Sequence, residues 1–407
     1  MKLIAQSLTP ISTLALLAIA LPLGINAAEP IIPPKPQPAA TTLEPKDRKA
    51  LRNTTGITKN PLRYDLAERL EKIEKLGGNL ETEEAVRRSL DWFTRTQKPL
   101  GYWEETKSPI AHTGLALLCY MSYGAKHNEE GPHQEPLLRG LSWLVDQVKE
   151  DGAMFDGGQM YAQCIGTIAI CEALGLSKDK KLESAAKRAL DFIVKAQNPD
   201  TGGWRYFPYK YSQDTGDLSV TGWAVMALRS ADMAGLRPPT ESFNSAKNYL
   251  DTLSAGNDAG LYGYRTPSPS PAMTAEGMFC QQVFGRKAVL DRMKESTSFL
   301  ATHSPRAEQN NYYYWYYGTL AMNLNGGQAW TDWNDRMRPI LLSKQAKQGD
   351  NAGSWEAAGH RSKVEGRTVT TAWATLSLSV YYRYLPILNG YERSNLRGAT
   401  GTIPKDN

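Results

Sequence analysis

Four side chains in this 407-residue sequence have the chemistry of an acid, a base or an ion-pair partner, and each stands near the start of an apolar run. His112 follows Ser108-Pro109. An imidazole there is fit to act as a general base or a ligand contact. Asp214 and Asp217 come just before Leu218. Asp217 has the chemistry of a helix N-cap. A carboxylic acid kept protonated in an apolar cavity would instead give a proton to an alkene or epoxide. Glu276 falls one turn into another apolar run, where a carboxylate needs a partner or a wet cavity. Arg205, Arg265 and Arg367 lie in loops and are its candidate partners.

Aromatic residues supply a second theme. The run Tyr312-Tyr313-Tyr314-Trp315-Tyr316-Tyr317 places six rings in succession. On a helix these point all round, so part of the set faces inward, with Tyr313, Tyr314, Trp315 and Tyr317 as the candidates. Aromatic faces stabilise cations, stack on sugar rings or hold a lipid chain. The alternative is packing between helices. Trp223 and Trp373, in other apolar runs, extend the same wall, and Tyr161 and Gln163 are further ligand contacts at the head of a sixth run. No residues have the spacing of a metal site, and no cofactor motif is present.

The elements that position these residues are legible from periodicity. Amphipathic stretches fall at Val86–Arg95, Leu137–Val148, Leu182–Ala196, Ser245–Leu253, Leu290–Ala301 and Trp333–Lys344. Each is followed by a loop and then by a more uniformly apolar stretch. These are His112–Tyr123, Tyr161–Leu174, Leu218–Ala234, Thr274–Phe284, Tyr313–Asn323 and Val369–Tyr384. A helix apolar on all sides belongs inside a larger protein or a membrane. Polar residues interrupt every one of the six, which argues against a span in the mature chain. Six outer and six inner helices predict an all-α fold, an (α/α)6 toroid of six helical hairpins. The parallel inner helices then gather their N-termini at one mouth, offering free N–H donors to a ligand. His112, Asp217, Glu276 and at least one of Tyr313, Tyr314 and Tyr317 are expected to line one depression there.

A motif returns three times in the loops: Gln97 to Trp103, Gln197 to Trp204 and Gln348 to Trp355, each reading Gln, spacer, Gly, any residue, Trp. Glycine permits a sharp reversal after the outer helix, and tryptophan covers the turn. These copies resemble the repeats of the prenyltransferase and squalene-cyclase superfamily. The resemblance covers roughly Glu84 to Leu388. Gly202-Gly203-Trp204-Arg205-Tyr206, Ser219 to Trp223, Tyr312 to Gly318 and Tyr381 to Pro386 resemble an exported bacterial branch of it. The resemblance implies an α/α toroid and isoprenoid chemistry. Squalene-type cyclases carry Asp-x-Asp-Asp, where this sequence has Asp214-Thr215-Gly216-Asp217. The Asp-x-Cys of the zinc-dependent prenyltransferases has no counterpart at the head of an inner run. The chain therefore reads as a ligand-binding toroid. An isoprenoid enzyme and a polysaccharide lyase or glycosidase are the alternatives, with a small hydrophobic or sugar ligand.

Residues 1–27 read as an export signal: Lys2, an apolar stretch from Ile11 to Leu23, then Ile25-Asn26-Ala27. A periplasmic or extracellular location follows. Residues 28–60 form a Pro-rich linker, 61–83 an N-terminal helical extension, 84–388 the toroid and 389–407 a tail. The net charge of +5 is spread thinly, with no dense cluster of Lys and Arg, which excludes a nucleic-acid partner. Four cysteines read as buried thiols, with Cys119 and Cys171 the one pair placed to meet.

Overall fold

The structure, a computed structural model, describes Leu70 and residues 73–106, 108–154, 159–288 and 290–382. The expected signal, the Pro-rich stretch, residues 61–69, 71 and 72 of the N-terminal extension, residues 383–388 of the expected toroid and the tail lie outside the described residues. Among the described residues twelve long helices alternate between two rings. The outer ones are α1 Leu80–Thr96, α3 Gln134–Asp146, α5 Glu183–Ala196, α7 Thr240–Thr252, α9 Asp291–Thr302 and α11 Gly327–Lys344. The inner ones are α2 Pro109–Ser122, α4 Gln159–Ser177, α6 Leu218–Ala234, α8 Pro271–Val283, α10 Tyr312–Asn325 and α12 His360–Leu378. Each inner helix packs against the next, and α12 packs against α2, so the ring closes. The expected toroid is therefore the observed fold.

Composition explains the two rings. Outer helices bury one stripe: in α1, Ala85, Val86, Ser89, Leu90, Trp92 and Phe93 are covered while Arg87 and Asp91 face water. Inner helices are covered on all sides. In α2 every residue from Ile110 to Ser122 is buried. Helix α4 is long and apolar enough to cross a membrane, yet nearly all of it is covered by its neighbours, as for a core helix. Helix α12 is interrupted at Gly366, whose φ of 86° breaks the spiral, so its ring-lining part starts after that residue.

The Gln–Gly–Trp unit is a docking joint between hairpins. Trp103, Trp204 and Trp355 are fully buried and equivalent. Their indole N–H groups donate to Phe93 O, Ile193 O and Leu341 O, each 2.8 Å away, in the preceding outer helix. Their backbone N–H groups donate to Thr113, Thr221 and Thr371 of the following inner helix at 3.0, 3.0 and 3.1 Å. Gly202 has φ of +83°, and a Cβ there would lie 2.2 Å from Ser245 O of the next outer helix. Only glycine combines that backbone conformation with that approach.

The glutamine of the third copy is not the one the spacing selects. Gln97 and Gln197 are helix C-caps, and each amide donates to its own loop and to the next outer helix. In the third copy the C-cap is Gln345. Its Nε2 donates to Gly353 O at 2.9 Å and to Ala85 O at 2.8 Å, while Gln348 is exposed. The loop has grown by an extra turn, so the helix end fixes the residue and the Gln-to-Gly count does not. Because Ala85 is in α1, this joint fastens the last hairpin to the first. A second fastening is Glu83 of α1, which accepts phenol bonds from Tyr123 and Tyr382. Cys119 and Cys171 do not bond: all four cysteines are free and buried, and Cys119 Sγ contacts Ala372 O at 3.7 Å.

Candidate functional site

The loops before the inner helices open at one mouth, and the densest polar cluster there surrounds the head of α6. Asp217 caps that helix: Oδ1 accepts from Val220 N at 2.9 Å and from the Ser219 hydroxyl at 2.7 Å. Its other oxygen is bound by the Arg205 guanidinium. Arg205 also reaches Asp214 at 3.4 Å and the Tyr264 hydroxyl at 2.6 Å, and it lies 3.9 Å over the Tyr206 ring. Arg265 holds the far oxygen of Asp214 at 2.8 Å. The phenols of Tyr206 and Tyr264 meet at 2.7 Å, and Tyr161 OH meets Ser219 at 2.5 Å.

Neighbouring groups shift two members of this cluster. Partial burial opposes the Arg205 charge, but the hydrogen bond and charge of Asp217, with the phenols of Tyr206 and Tyr264, outweigh it. The guanidinium is held well above its ordinary pKa. Tyr264 is pushed up by burial, by its bond with Tyr206 and by the Asp217 charge, against the pull of Arg205, and stays a neutral phenol. Asp217 is fully buried within the ion pair. Removing its partner would leave an uncompensated carboxylate, at a cost of about 3–5 kcal/mol. The geometry of Asp217 is that of an ion-paired N-cap.

Helix ends at the mouth are already served by side chains. Ser270 caps α8 through Met273 N at 3.3 Å, Asn311 caps α10 through Tyr314 N at 3.1 Å, and Asp217 caps α6. Glu105, from the loop before α2, accepts from Thr368 N of α12 at 2.7 Å. The expected free N–H donors are in these four helices turned inward to caps. His112 ties down the same loop. Its Nδ1 accepts from Glu105 N at 3.2 Å, so the neutral ring carries its proton on Nε2, 3.1 Å from Thr106 Oγ1.

Glu276 and Tyr313 form a buried pair, the phenol donating to Glu276 Oε2 at 2.6 Å. Gly222 leaves the room for that carboxylate, since a Cβ there would lie 2.1 Å from Glu276 Oε1. Around this pair aromatic side chains of several inner helices pack on one another. Trp223 of α6 stacks on Tyr316 of α10 at 6.0 Å, although α8 stands between those helices in the ring. Phe279 and Trp373 pack on Tyr317 and Tyr313 at 6.1 and 5.5 Å. Burial, then the charges of Cys119, Glu172 and Glu276 from three other inner helices, raise the Tyr316 phenol pKa. Trp223, Phe279, Tyr313, Tyr316, Tyr317 and Trp373 are each no more than 4% exposed.

Other expected contacts sit elsewhere. Tyr314 faces the outer ring: its hydroxyl donates to His303 O at 2.8 Å and its ring meets Trp333 edge-on at 5.6 Å. Trp315 is buried against Tyr312. Gln163 performs the joint's work in the second hairpin, where Met154 replaces tryptophan. It accepts from Met154 N at 2.6 Å and donates to Gly152 O at 3.0 Å. Arg367 donates to the Ser354 hydroxyl at 3.1 Å, not to Glu276. The structure thus brings together Asp214, Asp217 and Tyr161 in one cluster, and Glu276, Tyr313, Tyr317, Trp223 and Trp373 in another. Tyr206 and Tyr264 were missed as site residues. The available signal was an aromatic two positions after the joint aromatic, as in Trp204-Arg205-Tyr206 and Tyr262-Gly263-Tyr264.

No family model and no curated protein matches the sequence. Solved structures do match in shape. The GH76A α-1,6-mannanase from Salegentibacter sp. HEL1_6 superposes with a TM-score of 0.52 at 12% identity, over 74% of this chain and 99% of that one. UGL with dGlcA-Glc-Rha-Glc gives 0.52 at 12% identity, over 76% and 97%. The type II terpene cyclase MstE from Scytonema, with geranylgeranyl dihydroxybenzoate, gives 0.50 at 11% identity, over 78% and 99%. At such identities the likeness shows a shared α/α toroid.

Proposed function

We propose that this chain is an exported ligand-binding toroid that takes its ligand at the inner-helix N-terminal mouth, over Arg205, Tyr206, Asp214 and Tyr264. One observation carries the reading. Side chains from non-neighbouring inner helices meet across the ring, while convergent polar groups and partly exposed rings gather at the mouth. A small-ligand site requires such convergence beside aromatic walls. Export rests on the Lys2 to Ala27 pattern.

A second reading, an enzyme acting on an isoprenoid or a polysaccharide, is supported by the fold held in common with a mannanase and a terpene cyclase and by the Glu276–Tyr313 pair. In that reading the ligand reaches the ring centre. The two separate by titrating the full chain with oligosaccharides and prenols, following both affinity and product formation. Wild type is compared with a mouth variant, Tyr206→Ala, and a centre variant, Phe279→Leu. The binding reading expects at least tenfold weaker affinity in Tyr206→Ala, unchanged affinity in Phe279→Leu and no product. Turnover that is lost in Glu276→Gln overturns it in favour of the enzyme.

A further inference from the structure

We infer that the ligand of the mouth is a neutral sugar chain, seated on an aromatic ledge of Phe207, Tyr211 and Tyr264; this rests on the mouth reading above. Among the described residues the exposed large apolar side chains are Leu80, Leu100, Phe207, Tyr211, Tyr264 and Leu290. All three aromatic ones lie in the loops preceding α6 and α8, at 48%, 62% and 37% exposure. The two loops are joined where the phenols of Tyr206 and Tyr264 meet at 2.7 Å, with Phe207 next to Tyr206 in the chain and Tyr211 in the short helix that follows. Exposed apolar side chains concentrated in such loops mark a binding surface, whereas scattered leucines do not. Two of the three rings carry hydroxyls, so the ledge offers flat apolar faces with polar edges. A pyranose presents the same pairing: C–H groups on its faces and hydroxyls around its rim.

Charge decides against an acidic sugar. Arg205 and Arg265 are paired with Asp214 and Asp217. Lys210 lies 4.6 Å from the Tyr211 ring centre, and Asp200 accepts from Tyr209 at 3.2 Å. Both arginines are thus taken up by carboxylates, and Lys210 stands over a ring. A uronate would have to compete with carboxylates already bound to both arginines. Polarity decides against a prenyl chain. The edges of the ledge hold donors and acceptors within 2.6 to 3.4 Å of one another, at Tyr206, Tyr264, Arg205 and Asp214. A hydrocarbon laid over them would strip their remaining water and offer neither donor nor acceptor in return. A sugar hydroxyl both donates and accepts, and can insert among them.

The test titrates mannotetraose, cellotetraose and chitotetraose as neutral probes, tetragalacturonate as the anionic probe and geranylgeraniol as the lipid probe. Titrations use the full-length wild type, Tyr211→Ala and Tyr264→Phe. Tyr211 is the most exposed of the three, so its removal leaves the fold intact, and a melting curve checks this. A neutral tetrasaccharide is expected to bind, about tenfold more weakly in Tyr211→Ala and several-fold more weakly in Tyr264→Phe. If tetragalacturonate or geranylgeraniol binds instead and loses affinity in both variants, the mouth reading stands and the neutral-sugar class is overturned. A neutral sugar with the same affinity in all three proteins overturns the ledge. Failure of every probe overturns both.

Discussion

Replacing Gln345 by alanine should loosen the seam where the ring closes, and replacing Gln348 should do nothing. The Gln345 amide is buried and donates to Gly353 O and Ala85 O, while its Oε1 accepts from Arg88 Nε at 3.0 Å. Ala85 O also serves the ladder of α1, so losing that bond costs only its net worth, about 1 kcal/mol. Gly353 O is left buried without its donor, at about 1–3 kcal/mol. With the cavity left by the side chain, the sum for Gln345→Ala is about 3 kcal/mol. Gln348 is exposed, and substitutions of that kind stay within about 0.5 kcal/mol. Urea unfolding of the full chain, followed by tryptophan fluorescence, reads both variants against wild type. Equal midpoints for the two, or a larger shift for Gln348→Ala, would refute the assignment of the seam.

Gly202→Ala forces a Cβ to 2.2 Å from Ser245 O at φ +83°, and should destabilise by at least about 3 kcal/mol in the same assay. Asp179 shows a pH effect of definite sign. Burial raises its pKa, but the bonds from His127 and Lys181 N and the charges of both residues outweigh this and hold it below the ordinary value. The stabilisation is therefore present above the unfolded carboxylate pKa of about 4 and disappears as pH falls through the depressed folded value. Asp179→Asn should lower the melting temperature at pH 7, with the difference from wild type shrinking below about pH 4. Tyr313→Phe removes the phenol from Glu276 and should cost about 1.5–3 kcal/mol in thermal unfolding.

The ring was legible because its cause is periodic. Inner and outer helices differ in how much of their surface is apolar. Most start and end within about three residues of the expected range, while α1, α7 and α11 begin five or six residues earlier and α12 runs from His360 to Leu378 against the expected Val369–Tyr384. What the sequence hides is direction and exposure. Six consecutive rings from Tyr312 to Tyr317 carry no mark of which one faces outward, and Tyr314 is settled only by where Trp333 and His303 stand. The Gln348 register matched because residue counts cannot see a loop turn, whereas Gln345 is chosen by the end of α11. Asp217 showed its cap in the sequence but not its ion pair, because Arg205 meets it only when the loop folds back. The exposed Phe207 and Tyr211 look like any loop aromatics until burial of the others sets them apart.

Hydrogen–deuterium exchange with and without the best-binding probe tests the central claim most directly. A ligand seated at the mouth should slow exchange in residues 205–217 and 264–270 and leave the already protected inner helices unchanged. Protection that appears instead along Glu276–Val283 and Tyr313–Asn323, with residues 205–217 unaffected, would place the ligand in the ring centre and contradict the account.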